Sequence, residues 1–209
     1  MGSHYSTLSG EDRAVSTAIL EHYLPRFAGD ELPESGPGLA LGLADRIDSL
    51  VGLFAAGLAP TGSADPYQLR RAALGLVESL IERQASLNLR PLMAEAAALM
   101  PIAVSGQVLD EVAAFIAERL RGWLRDHGFR HDVVDAVLAE RGSNPYAAYR
   151  AARQLTAWVE RDDWDDLLNA YGRCIRIVRD RTQRDEFRPG VDDDPATVAL
   201  REVYEIARA

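Results

Sequence analysis

Asp45 and Asp48 stand three residues apart in Ala44-Asp45-Arg46-Ile47-Asp48-Ser49-Leu50. That spacing puts both carboxylates on one face of a helix, opposite an apolar stripe. An acid–imidazole pair, His131-Asp132, is contiguous in Gly128-Phe129-Arg130-His131-Asp132-Val133-Val134-Asp135. It falls at an expected helix start, where Asp132 and Asp135 complement the dipole, and capping is the better account of it. Gly36-Pro37-Gly38 with Gly42 mimics a phosphate loop. Such a loop needs a strand before it, and Pro37 removes an N–H donor, so a nucleotide site is rejected there. The fourth constellation is basic: Arg173, Arg176, Arg179, Arg181, Arg184 and Arg188 fall within sixteen residues. On a helical wheel Arg173, Arg176, Arg181 and Arg184 share one side, and Tyr171, Cys174, Ile175 and Val178 lie on the other. Such a face suits RNA phosphates, with Trp158, Trp164 and Tyr171 available to stack on unpaired bases. The opposing reading is a solvated face paired with Asp162, Asp163, Asp165, Asp166, Asp180 and Asp185. No serine sits in a strand-to-helix elbow and only 4 histidines are present, so no catalytic residue is assigned.

The elements that must carry these residues are helical. Leu39, Leu43, Ile47, Leu50, Val51, Phe54 and Leu58 recur at a period of 3.6, as do Val108, Val112, Phe115, Ile116, Leu120, Trp123 and Leu124. No segment shows sustained strand alternation, so the fold class is all-α. Asp65-Pro66, Asn144-Pro145 and Asp194-Pro195 each set a capping residue before a proline suited to the first helical position. Gly57, Gly128 and Gly142 stand where helices should end. These signals predict helices near 11–24, 38–57, 66–85, 91–99, 107–127, 131–140, 145–160, 163–180 and 195–208, with breaks at 28–36, 101–106 and near Gly142.

Bulk properties bound the function. The chain has 209 residues, 47% of them hydrophobic, enough to fill a core. No apolar stretch approaches the ~18 residues of a membrane span, no signal peptide is seen, and the single cysteine, Cys174, can form no internal disulfide. These features fit a cytoplasmic chain. Net charge is −9, unfavourable for blanket nucleic-acid binding, so distribution matters. Residues 143–191 carry 9 basic and 8 acidic side chains and form the one block with a positive balance. All 23 basic residues are arginine.

The Ala44-Asp45-Arg46 helix resembles the segment carrying the last metal ligand of HD-superfamily phosphohydrolases. Those enzymes also require a first histidine and a His-Asp dyad. The dyad would fall at His22-Tyr23, where tyrosine replaces the aspartate. The resemblance thus implies an HD-like helical domain with a degenerate site at His22 and Asp45 and no bound metal. A metal-dependent nucleotide phosphohydrolase is kept as an alternative function, and a helical interaction module without an RNA role as another.

Three stretches together carry a more specific resemblance: Glu21 to Pro33, Leu43 to Phe54, and Pro60-Thr61-Gly62-Ser63-Ala64-Asp65-Pro66-Tyr67-Gln68-Leu69-Arg70-Arg71-Ala72-Ala73-Leu74-Gly75. In order and spacing they resemble the bacterial glycyl-tRNA synthetase β subunit, and Gly128 to Ala139 does too. Ala64 departs from the lysine usual there, and the family's larger N-terminal part is absent, so the chain looks like a C-terminal fragment. The resemblance implies an HD-like domain over 1–104, a helical connection over 105–142, and over 143–209 a DALR-type anticodon-binding domain that is incomplete. It also implies the activity of the whole enzyme, joining glycine to its tRNA with ATP and Mg, the adenylation site lying on a separate α subunit in an assembly of two α and two β. The fragment itself would bind no cofactor and would be inactive alone. Its partners would be glycine tRNA and the α subunit, with no membrane. Under this resemblance the tRNA-contacting residues are Arg173, Arg176, Arg181 and Arg184. Arg70 and Arg71 are further candidates, one of the two bracing Asp45 or Asp48.

Overall fold

In the computed structural model the chain is described over residues 1–27, 29–179 and 194–208. Those residues are helical apart from turns and loops, with one isolated bridge between Thr61 and Ala64 and no strand among them. Contacts divide the chain into two units, Met1–Arg161 and Asp162–Ala209. The first contains α1 (Gly2–Leu8), α2 (Arg13–Glu21), α3 (Gly36–Ala55), α4 (Leu69–Glu82), α5 (Leu89–Leu99), α6 (Gly106–Asp126), α7 (His131–Arg141) and α8 (Pro145–Val159). The second contains α9 (Trp164–Val178) and α10 (Pro195–Arg208).

The two predicted stripes become the centre of the first unit. From α3, Leu43, Ile47, Leu50, Val51 and Phe54 are buried; from α6, Val112, Ile116, Leu120, Trp123 and Leu124. Each such side chain removed from water contributes about 1.5–3 kcal/mol before entropy is charged against it. The Phe54 and Phe115 rings meet edge-on with centroids 5.2 Å apart. Leu58, placed in the stripe from sequence, is exposed because α3 has already ended. Its amide donates to the Leu53 carbonyl and that of Gly57 to the Phe54 carbonyl, with Gly57 at φ 73°. Gly128 at φ 85° ends α6 in the same way, and both are glycine because the left-handed region strains a Cβ. Gly142 stays in the right-handed region at φ −60° and is no left-handed cap.

The capping expectations hold at Asn144, whose Oδ1 accepts from the Ala147 amide, and at Asp194, which accepts from the Ala196 and Thr197 amides. They need correcting at Asp65-Pro66. There α4 begins at Leu69, and the Asp65 carboxylate reaches forward to accept from the Leu69 and Arg70 amides. α1 was not anticipated, since Gly2-Ser3-His4-Tyr5-Ser6-Thr7-Leu8 has weak helix formers and no stripe. It is held by docking on α2, with Ser6 and Ser16 hydroxyls paired at 3.0 Å in a buried contact.

On α4, the half-buried Glu78 has its carboxyl pushed up by burial; the imidazole of His127 opposes this and Glu82 adds to it. A raised value in the fold means the ionised form is disfavoured there. The residue therefore costs stability above the ordinary carboxylate range and nothing below it. Glu78→Gln is expected to raise Tm at neutral pH by roughly 2 °C and to leave it unchanged near pH ~3. Thermal melts at the two pH values check this, and a lower Tm at neutral pH would refute the sign.

Candidate functional site

The turn after α2 and the faces of α3 and α4 enclose an open cleft of about 470 Å³ lined by His22, Tyr23, Arg26, Asp45, Ser49, Tyr67, Gln68 and Arg71 among others. The degenerate positions His22 and Asp45 thus border the same space. The His22 Nδ1–H donates to the Ile19 carbonyl at 2.7 Å. Tyr23 lies against that ring with centroids 3.8 Å apart, so a phenol occupies the place of a second acid. Asp45 and Asp48 are exposed, a solvated helix face. Among the described residues no three His, Cys, Asp or Glu side chains come together as a metal-holding group.

Arg46 lines this cleft, and Glu21, next to His22 in sequence, lines a neighbouring hollow; the two are buried with different partners. Arg46 is 8% exposed and forms no ion pair among the described residues. Its Nη1 donates to the His22 and Gly42 carbonyls, and its Nη2 to those of Leu24 and Pro25. Burial pushes its guanidinium below the usual value, with Asp45 opposing. It acts as the internal strut of the 22–25 turn. The second charge is Glu21, 9% exposed, whose carboxylate accepts from the Glu34 and Ser35 amides and from the Ser35 hydroxyl. The Ser35 oxygen in turn accepts from the Gly38 amide and caps α3. The turn entering α3 is therefore closed by the protein's own Glu21, held through Glu34 and Ser35 and not through the amides of Gly36 or Gly38. Of the cations at the cleft, Arg26 is neutralised by a forked pair with Asp30 at 2.8 and 3.0 Å. That pairing, with the Arg26 amide, holds the Asp30 carboxyl well below the usual range. Arg71 donates to the Gln68 side-chain oxygen at 2.7 Å.

Arg70 donates to the Gly62 carbonyl at 2.6 Å and ties the Pro60–Asp65 loop to α4. Neither Arg70 nor Arg71 forms an ion pair with Asp45 or Asp48, so the predicted brace is absent; the polar acceptors beside each arginine are nearer. His131-Asp132 sits at the exposed start of α7, Asp132 accepting from the Val133 amide and pairing with Arg130 at 2.7 Å. The Arg130 hydrogen bond lowers the Asp132 carboxyl. Asp135 pairs with Arg121. Capping and surface pairing account for the dyad.

The predicted basic helix is α9. Arg173 and Arg176 are exposed on it, and Arg176 donates to the Gly172 carbonyl at 3.1 Å. Arg181 and Arg184 lie outside the described residues. The opposite side, with Tyr171, Cys174, Ile175 and Val178, is exposed as well. Sequence reasoning passed over Arg150 and Arg153 on α8, although an Arg four residues after a Tyr, twice in succession, was there to be seen.

The class these features define is an all-helical chain whose acid–imidazole cleft is braced by internal charges rather than by a metal-ligand cluster. The family model described as the glycyl-tRNA synthetase beta subunit matches residues 1–139, and the chain belongs to that family. The glycine–tRNA ligase beta subunit of Clostridioides difficile is 37% identical over 202 residues, covering 96% of this chain and 29% of that protein. That of Haemophilus influenzae Rd is 47% identical over 179 residues, 85% of this chain and 26% of its own length. The Arabidopsis thaliana chloroplastic/mitochondrial glycine–tRNA ligase 2 is 40% identical over 179 residues, 86% of this chain and 17% of its own. The chain thus spans less than a third of the length of these curated relatives. Among the described residues no helix is long and apolar enough to cross a membrane.

Proposed function

We propose that this chain is a tRNA-binding portion of the β subunit of a glycine–tRNA ligase, the enzyme that joins glycine to its tRNA. The observation that carries the reading is the family match over residues 1–139, with relatives named glycine–tRNA ligase beta subunit aligning along 85% and 96% of the chain. ATP and Mg serve the whole enzyme, at an adenylation site on a separate α subunit, in an assembly of two α and two β in the cytoplasm. This chain would contribute recognition, with its HD-like part as a rigid helical platform and the region from 143 onward toward the anticodon. The arginines on α9 support this reading: Arg173 and Arg176 are exposed on it and form no ion pair among the described residues. A metal-dependent hydrolase is disfavoured because Tyr23 stands where an acid is needed and, among the described residues, no three His, Cys, Asp or Glu side chains gather around His22 and Asp45.

The test is binding of glycine tRNA and of an unrelated tRNA to the 209-residue chain across a salt series. The expected result is affinity that falls steeply with salt and favours glycine tRNA. A slope near zero, or equal affinity for both, would sink tRNA recognition by this region.

A further inference from the structure

Between Glu140 and Glu160 the sequence contains no acidic residue and three arginines, Arg141, Arg150 and Arg153, in a chain of net charge −9. The fold brings Arg141, the last residue of α7, and Arg150 of α8 to the same cleft, with Arg153 one turn further along α8. A cleft of about 230 Å³ at the start of α8 is lined by Ser86, Arg141, Ala147, Arg150, Ala151 and Gln154. Its polar lining consists of two guanidinium groups, a hydroxyl and a carboxamide, with no carboxylate. It is smaller than the ~300–1,000 Å³ typical of organic-ligand sites and suits a compact anion.

What holds Arg150 and Arg153 sets them apart from the arginines of the ion pairs. Arg26, Arg90, Arg121 and Arg130 are each matched to an acid. Arg150 instead lies over the Tyr146 ring and Arg153 over the Tyr149 ring, each at 5.9 Å from the centroid. A ring face restrains a guanidinium without cancelling its charge, so the forked N–H donors remain available. Residues 146, 150 and 153 fall on one face of α8, and the opposite face seats Ala148 and Ala152 in the core against α4 and α7. Tyr149 is itself fixed edge-on against Trp123 and Phe129. Asn144 latches the cleft's rim, its amide donating to the Ser86 hydroxyl at 3.1 Å. The positive end of the α8 dipole faces the same rim and adds to the preference for an anion.

We propose that Arg141 at the end of α7 and the Arg150–Arg153 face of α8 form a docking site for the phosphate backbone of RNA, a contact on the core-anchored unit separate from the α9 arginines. It rests on the tRNA-binding reading above and specifies where part of the backbone is held.

The experiment measures glycine-tRNA binding to the 209-residue chain across a salt series, comparing the unaltered chain, the pair Arg150→Gln with Arg153→Gln, and a control pair Arg13→Gln with Arg125→Gln of equal charge change. Glutamine keeps helix propensity, and circular dichroism verifies the fold. The α8 pair is expected to lower affinity at least ~10-fold at low salt and to flatten the log–log salt slope by about 2, one per lost phosphate contact. The control pair is expected to change neither. Unaltered binding that survives the α8 pair with its slope intact overturns this site and leaves the tRNA reading standing. Equal losses from both pairs overturn it too, since they mark diffuse attraction. No salt-dependent binding by the unaltered chain overturns both readings. Inorganic phosphate at constant ionic strength is the second probe; displacement of tRNA at low millimolar phosphate would mark a free-anion site and refute the backbone assignment.

Discussion

Arg46→Met is expected to lower the unfolding free energy by about 3 kcal/mol, because each buried carbonyl left without a donor costs roughly 1–3 kcal/mol. Methionine fills the same length but donates nothing. The His22, Leu24 and Pro25 carbonyls lose their partner, whereas the Gly42 carbonyl is within a helix and keeps its own. Burial of an unpaired guanidinium is itself costly, and part of that cost is recovered by removing the charge. Arg46 is enclosed so tightly, with Gly42 and Gly75 beside it, that water has little room to replace it. Arg46→Lys should recover little, since one ammonium cannot serve carbonyls fanned around a planar fork. Urea denaturation of the three chains decides the matter. A change under ~1 kcal/mol for Arg46→Met would mean the turn holds itself without the strut.

Gly38→Ala should cost about 2–4 kcal/mol, the range for forcing atoms into a packed interior and stranding a buried polar group. A Cβ there would lie 2.1 Å from Glu21 Oε2 and 2.6 Å from Glu21 Cβ. Glu21 would have to leave the Glu34 and Ser35 amides it holds. In an open helical position the same substitution gains about 0.5–1 kcal/mol, so the sign reports the clash. Gly36→Ala, two residues earlier where nothing lies within 4 Å, is the matched control and is expected to be neutral or mildly stabilising. Combining Gly38→Ala with Glu21→Ala should cost less than the two separately, as coupled neighbours do. Additive losses would separate the glycine from the carboxylate.

Both positions show where sequence reasoning reached and where it stopped. The stripes of α3 and α6 were legible because burial imposes a 3.6 period on residues close in sequence. The caps at Asn144 and Asp194 were legible because the partner amide is two or three residues away. Glu21 was not, since it reaches Glu34 and Ser35 thirteen and fourteen residues on, and no local pattern records which carboxylate fills a distant turn. In Ala44-Asp45-Arg46 attention fell on the acid, because metals select acids. The structural weight lies on the arginine, whose acceptors are backbone carbonyls common to every sequence. Helix α1 was missed for a related reason: docking outweighs weak intrinsic propensity. The family resemblance, carried by the stretches around Glu21, Ala44 and Pro60, was legible as a whole before any of their residues had a physical role.

The seating of α8 has a consequence for where this protein can be cut. The family signature ends at residue 139, yet Ala148 and Ala152 are wholly enclosed and α8 covers α4 and α7. The Ser143 carbonyl also receives the Leu89 amide, so the loop before α8 is stitched to the start of α5. A chain ended where the signature ends would leave that seam open and apolar. The segment the family model matches and the segment that packs as one body are different lengths, and a chain cut after Arg161, where the first unit closes, keeps the seam covered.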